Sequence, residues 1–467
     1  MSSPIVNEEL RYNEEPLPLG SRRRVAQFEN NQGTISGGNT AYIRIPSLRN
    51  SYLDTGNASL TFTVESTLTD TILPVRNGAT GITNPDQVKL SASGAVSFIR
   101  TIRVMSNNEL VCQIDNANKI AAILQVANQS YEGQDAMSVL SGQSHSSNAN
   151  LIGNGTSRIY GFPSTASVAT LSTTPKMTFT INNQILAVLG DGCMLPIHAL
   201  KNGIELQVEF ETDARLSYVA QHDAADATKQ STITSGTNSF SNIKYSCAVV
   251  ELDDSSMVAV NRENGFGSRD VMWSGVNYHA SIQKLSAAQL SAAGTYTSLV
   301  PSNRFTSLKY LLLGGFDDLA AGAGTVDLNI PSNPLASLQY RMNGREFPIQ
   351  KIDTVPKIVN NTIACFSNVS TSVGQTLMMT SATTLNYRQA AAAANVATRN
   401  RAVLGVNLEC WSESDAISGL DVSQSDTEVL LETTAVAATV ASNLCFVSAY
   451  DVIYIINPDG VLKSSYK

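Results

Sequence analysis

From Gly203 to Glu211 apolar and polar residues alternate without a break. Ile204, Leu206, Val208 and Phe210 fall on one face of an extended chain, and Glu205, Gln207, Glu209 and Glu211 on the other. That period of two predicts a strand with one face in a core and the other in water or a polar interface. Ser59–Glu65 repeats it, with Leu60, Phe62 and Val64 set against Thr61, Thr63 and Glu65. Further strands are expected at Thr40–Ile45, Phe98–Val104 and Tyr245–Leu252. In the second half they are expected at Val276–Ile282, Phe305–Leu313, Thr325–Ile330, Ser337–Met342, Ala402–Trp411, Thr427–Glu432 and Cys445–Ile456. The turn signal Asn457-Pro-Asp-Gly460 precedes a short closing strand at Val461-Leu462.

Helical spacing is confined to short stretches. Ile120, Ile123, Leu124 and Ala127 recur at such a spacing, with Asp115 as a candidate N-cap. A second stretch runs from Leu385 to Thr398 and includes the alanines from Ala390 to Ala394. Loops are expected at 66–95, with Pro74, Gly78, Gly81 and Pro85, and over the Ser/Gly/Asn-rich residues 130–175. Residues 253–270, with Gly265 and Gly267, read as a connector. Residues 1–38, with Pro4, Pro16 and Pro18, read as an irregular arm.

One passage occurs in each half. Phe98-Ile-Arg-Thr-Ile-Arg-Val-Met105-Ser-Asn-Asn-Glu109-Leu110 and Leu338-Gln-Tyr-Arg-Met342-Asn-Gly-Arg-Glu346-Phe347-Pro348 both run through a Met and a polar turn to a Glu followed by an apolar residue. The chain of 467 residues is too long for one ordinary core. The expected fold is all-β: two consecutive eight-stranded antiparallel jelly-roll sandwiches with short helices in loops. The expected division is an arm at 1–38, a first roll at 39–255 and a second at 256–467.

Composition narrows the function. Charged residues make up only 15% and hydrophobic ones 43%, so much of the surface is expected to lie against partners. The formal charge of −8 is unsuited to coating phosphates, and no direct sequence-specific nucleic-acid binding is expected. The basic run Arg22-Arg23-Arg24 reads as part of a solvated arm, or as an arm touching a neighbour or an anionic internal surface. Aromatics total 6% and are not interleaved with Lys and Arg, so no stacking platform is indicated.

Candidate chemistry is sparse. The cysteines Cys112, Cys193, Cys247, Cys365, Cys410 and Cys445 lie far apart with no CxxC pair, as expected of buried thiols in a chain made in reducing cytosol. The N-terminus has no apolar signal core, and no run reaches the ~18 apolar residues of a membrane span. His145, His198, His222 and His279 show no metal-ligand spacing and read as structural. Asp253-Asp254 and Asp317-Asp318 read as solvated pairs or helix caps, with a bound cation as the alternative. Trp273 and Trp411 read as core residues, with interface anchoring as the alternative. Gly33-Thr-Ile-Ser-Gly-Gly38 is a flexible segment, and no nucleophile elbow or phosphate loop is present. No catalytic, cofactor-binding or metal-binding residue is assigned, and no enzyme activity is expected.

Several passages carry a family resemblance. They are Phe98–Val111 with the helix through Ile123, the Pro-led passage Cys193–Phe210, Arg304–Lys309, Tyr340–Pro348, Ser418–Asp421 and Tyr450–Val461. In order and spacing, from Thr40 to Tyr466, the chain resembles the double jelly-roll major capsid proteins of icosahedral double-stranded DNA viruses. It is most similar to those of polinton-like viruses and virophages. More distant members are the adenovirus hexon and the coats of tailless, membrane-containing phages. The resemblance implies two rolls side by side, and homotrimeric capsomers of near-hexagonal outline that tile a virion shell. It implies partners in neighbouring capsomers and in penton and minor or cement proteins, and an N-terminal arm that touches a neighbouring capsomer, a minor protein or an internal membrane. It implies localisation in the virion after synthesis in host cytosol or a virus factory. The alternative is a β-sandwich module that binds carbohydrate or a receptor, as in an adhesin or fibre. That reading needs clustered aromatics and carboxylates, and none is legible.

Overall fold

The computed structural model of the chain describes residues 21–72, 88–90, 94–128, 140, 176–182, 185–190, 192–220, 231–286, 288–289, 296–317, 335–366, 403–409, 418–424, 427–433 and 442–465. In the first half the alternating runs form β1 (Arg22–Glu29), β2 (Ile35–Ser36), β3 (Thr40–Ile45), β4 (Ser51–Ile72), β5 (Val88–Leu90), β6 (Ile99–Ser106), β7 (Glu109–Asp115), β8 (Lys176–Asn182), β9 (Met194–Leu195), β10 (Ile204–Phe210), β11 (Tyr218–Ala220) and β12 (Ser231–Glu251). In the second half they form β13 (Val271–Leu285), β14 (Tyr296–Leu299), β15 (Leu308–Asp317), β16 (Leu335–Met342), β17 (Arg345–Ile352), β18 (Leu404–Asn407), β19 (Glu428–Thr433), β20 (Ser442–Ile456) and β21 (Leu462–Ser465). Helices α1 (Ala117–Asn128), α2 (Asp254–Asn264) and α3 (Val355–Ala364) lie between strands.

Both halves pair their strands in one order. The first contains the sheets β1-β12-β4-β8 and β3-β10-β6-β7, the second β13-β20-β15-β18 and β14-β19-β16-β17. Setting aside the short β2, β5, β9 and β11 and the closing β21, each half has eight strands among the described residues, taken in chain order. Counted so, both halves read 1-8-3-6 in one sheet and 2-7-4-5 in the other. That antiparallel order is a jelly roll. The duplicated passage is the fourth strand, turn and fifth strand of each roll. Its turn residues, Asn107 and Asn108 in one roll and Asn343 and Gly344 in the other, have φ of 50°, 66°, 51° and 73°. Left-handed φ at both positions is what a two-residue hairpin turn needs, and Asn and Gly tolerate it best. A helix follows the fifth strand in both rolls, α1 in the first and α3 in the second.

The alternation in β10 does what its period implies. Ile204, Leu206, Val208 and Phe210 are buried, and Glu205, Gln207 and Glu209 are half-buried on the other face. Phe210 stacks on Phe240 of the opposite sheet at 3.9 Å, and Phe62 meets Phe98, Phe179, Phe210 and Phe240 at 5.5–6.4 Å. These rings bridge the two sheets of the first roll.

The continuous apolar runs Tyr310-Leu311-Leu312-Leu313 and Cys445-Phe446-Val447 have a different cause. Leu311, Leu313 and Phe446 pack inside the second roll. Tyr310, Leu312, Cys445 and Val447 join the first roll's core, where Ile120, Ile123 and Leu124 of α1 also lie. A strand covered on both faces has no polar side to show, so alternation disappears. Helix α1 is packed between the rolls.

Four expectations are corrected. The stretch read as an irregular arm contains β1, the first strand of a sheet. It pairs with β12 from Arg22↔Glu251 to Glu29↔Lys244. Only Ala26 and Phe28 of β1 pack on the core, so the strand leaves little apolar signature. The loop assigned from residue 66 begins later, because β4 runs to Ile72 against β12. Asp115 does not cap α1: it ends β7, its carboxylate accepts hydrogen bonds from Gln113 at 2.8 Å and Thr101 at 3.3 Å, and Asn116 at φ 54° turns the chain into the helix. The connector at 253–270 contains α2. Asp253 caps it by accepting from the Ser256 amide at 2.8 Å, and Gly265 ends it at φ 73°. The expectations at Thr325–Ile330, Leu385–Thr398 and 1–20, and all of 130–175 except Leu140, lie outside the described residues.

Candidate functional site

The two described histidines serve packing. His198 sits on the short turn Ile197–Ala199. Its Nδ1 is 3.2 Å from the Ser51 carbonyl and its Nε2 is 3.2 Å from Asn261 Oδ1, between the rings of Tyr52 and Phe266. Burial lowers its pKa, against the pull of both hydrogen bonds. The residue thereby ties β4 to α2. His279 on β13 is half-buried beside Phe305, and burial lowers its pKa against Asp115 and the Ser302 backbone. His145, His222, Trp411, Cys410 and Asp318 lie outside the described residues.

The remaining candidates are absorbed by structure. Asp254 pairs with Arg49 at 3.1 Å on the surface. Among the described residues no group of three or more His, Cys, Asp or Glu is gathered that could hold a metal ion. Cys112, Cys247, Cys365 and Cys445 are buried and Cys193 is half-buried, with no disulfide among them. Burial pushes the Cys247 and Cys445 thiols up to about 12, far from nucleophilic use. Trp273 packs on Tyr454 with ring centroids 5.7 Å apart.

A charged cluster that local sequence does not reveal lies in the second roll. Lys309 Nζ is 2.9 Å from Glu409 and 3.6 Å from Asp451. Asp451 also accepts the Ser307 hydroxyl at 2.5 Å and the Ser418 amide at 3.3 Å, and Ser307 Oγ accepts the Gly419 amide at 2.9 Å. Burial works to lower the Lys309 pKa, but the two carboxylates outweigh it and hold it above the ordinary value. The cluster fastens the Ser418–Leu420 segment to β15 and β20. Lys309 and Ser307 stand 100 or more residues before their partners Glu409, Gly419 and Asp451, so no spacing rule could have joined them.

The outward faces carry polar ladders. Glu209 lies 3.4 Å from both Arg100 and Arg103 on one roll, and Arg341 bridges Glu346 and Glu428 at 3.5 and 3.4 Å on the other. Exposed apolar side chains include Val25, Met272 and Ile349, at 75%, 62% and 90%. Among the described residues the molecule therefore presents two packed rolls with polar flanks and no assembled nucleophile, base and orienting group.

No family model matches the chain, and no curated protein matches it in sequence. Solved structures match it in fold. A chain of the Sputnik virophage structure is similar at a TM-score of 0.58 and 13% identity, covering 100% of this chain and 93% of that one. A chain of the PBCV-1 virus capsid is similar at 0.53 and 10%, covering 96% and 97%. The mavirus major capsid protein is similar at 0.51 and 11%, covering 100% and 96%. Over nearly its whole length the chain is a double jelly roll of the kind these viral capsid structures share.

Proposed function

We propose that this chain is a structural major capsid protein whose homotrimers form pseudo-hexameric capsomers of an icosahedral virion shell. One observation carries the reading: two rolls with the same strand order follow each other in one chain, packed side by side around α1. Three such chains present six similar rolls, so a threefold assembly acquires a near-hexagonal outline that tiles a surface. The full-length likeness to viral capsid structures supports this.

In this reading the chain is divided near residue 255 into two rolls, with Arg22–Glu29 belonging to the first. Its main partner is itself, in the trimer and between capsomers. Penton and minor proteins, and a membrane beneath the shell, are further partners. The protein acts in the virion and is not an enzyme. Native mass spectrometry of the purified chain, with electron microscopy of the same fraction, tests the assembly. A species of three chain masses with a hexagonal, threefold projection is expected. A monodisperse monomer at high concentration would overturn it.

A further inference from the structure

The shared strand order lets the two rolls be compared row by row. The third strand of each roll opens on a pair with the eighth, Ser51↔Glu251 in the first and Leu308↔Tyr450 in the second. Three pairs further in, the first, eighth and third strands of the second roll carry Ala280, Val447 and Leu312 in one row. The matching row of the first roll is Val25, Ala248 and Asp54, and β9 extends it with Met194.

The two rows have different surroundings. Ala280, Val447 and Leu312 are buried against the first roll, where α1 lies across β13, β15 and β20 and β7 lies beside β13. Val25 faces away from the core-facing Ala26 and Phe28, and Val25 and Met194 are 75% and 53% exposed. The same face of the same sheet is therefore covered by the chain in one roll and left open at this row in the other.

The covering elements are duplicated too. Helix α1 follows the fifth strand β7, and α3 follows the fifth strand β17. Strand β17 is an edge of its sheet. Between Phe347 and Ile352 it carries four residues against one of β16, and Ile349 in that bulge is 90% exposed.

We propose that the open row seats β17 and α3 of a second copy of the chain, with Ile349 packed on Val25 and Met194. The inference rests on the capsomer reading and says which surfaces close the ring. The contact repeats between chains the one that α1 and β7 make within a chain, so each roll covers the sheet of the next. It uses different patches on the two copies, and a contact of that kind makes a ring when its rotation closes. The row inside the chain is wholly apolar, whereas this one includes Asp54, paired with Arg23 at 2.8 Å, so the seam between chains is the more polar of the two.

Native mass spectrometry of the full chain with Val25→Glu and with Ile349→Glu tests this. Both side chains are exposed, so each variant should keep its fold, which circular dichroism checks. Each should raise the concentration at which trimers dissociate by about tenfold or more. In a mixture of Val25→Cys and Ile349→Cys chains, a bismaleimide should join the two introduced thiols, a link located by peptide mass spectrometry. Trimers as tight as the parent's in both Glu variants, or no such link in trimers, would overturn the seat and leave the capsomer reading standing. A parent chain that stays monomeric would overturn the capsomer reading and the seat with it.

Discussion

Leu462 donates its backbone N–H to the hydroxyl of Ser106, 3.2 Å away and 356 residues earlier in the chain. The bond belongs to a clasp between the last strand of the second roll and the first roll. Ser464 donates to the Val111 carbonyl, Lys463 pairs with Glu109 at 3.1 Å, and the Lys201 amide donates to the Gly460 carbonyl at 2.9 Å. Gly460 has φ 75°, and a Cβ there would meet the Ala199 carbonyl at 2.8 Å. The rolls are therefore held by α1 on one side and by the closing strand on another.

Leu462→Ala tests the clasp. The side chain is fully buried, so its truncation should cost about 3 kcal/mol. Lys463→Ala removes only a half-exposed ion pair and should cost under ~1 kcal/mol. Chemical denaturation reads both. Equal midpoints for the two variants would show that the clasp contributes nothing through packing.

Asp451→Ala should destabilise the second roll by about 2 kcal/mol. It removes a 6%-exposed carboxylate and leaves Ser307 and the Ser418 amide without their acceptor. Lys309 keeps Glu409, which limits the loss. Limited proteolysis at Ser418–Leu420 should accelerate in parallel. An unchanged cleavage rate would mean that the cluster does not fasten that segment.

His198 predicts a pH dependence of defined sign. Its folded pKa lies below the ordinary 6.5, so the unfolded chain takes up the proton first. Stability from the neutral ring is complete above pH 6.5 and is lost as pH falls below it. His198→Gln should flatten the fall in melting temperature between pH 6.5 and about 5. A variant with the same slope as the parent chain would remove His198 from that account.

How much of this was legible follows from where each signal resides. The polar turns at Asn107 and Asn343 were readable, because left-handed φ restricts the residue types locally. Of the strands with one wet face, β3 agrees with expectation residue for residue, and β10 is one residue shorter at each end. Strand β1 was hidden, since it is an edge strand whose partner β12 lies more than 200 residues away. The Lys309 cluster was hidden for the same reason, being assembled from distant segments.

By itself the sequence determined the class of the fold, its duplication and the absence of local catalytic motifs. These depend on side-chain period and turn chemistry, which act within a few residues. The tertiary structure alone decided which strands pair, that β15 and β20 are covered on both faces, and that β21 clasps the first roll. Those outcomes depend on which surfaces meet across hundreds of residues, and burial rewards such meetings without leaving a local mark.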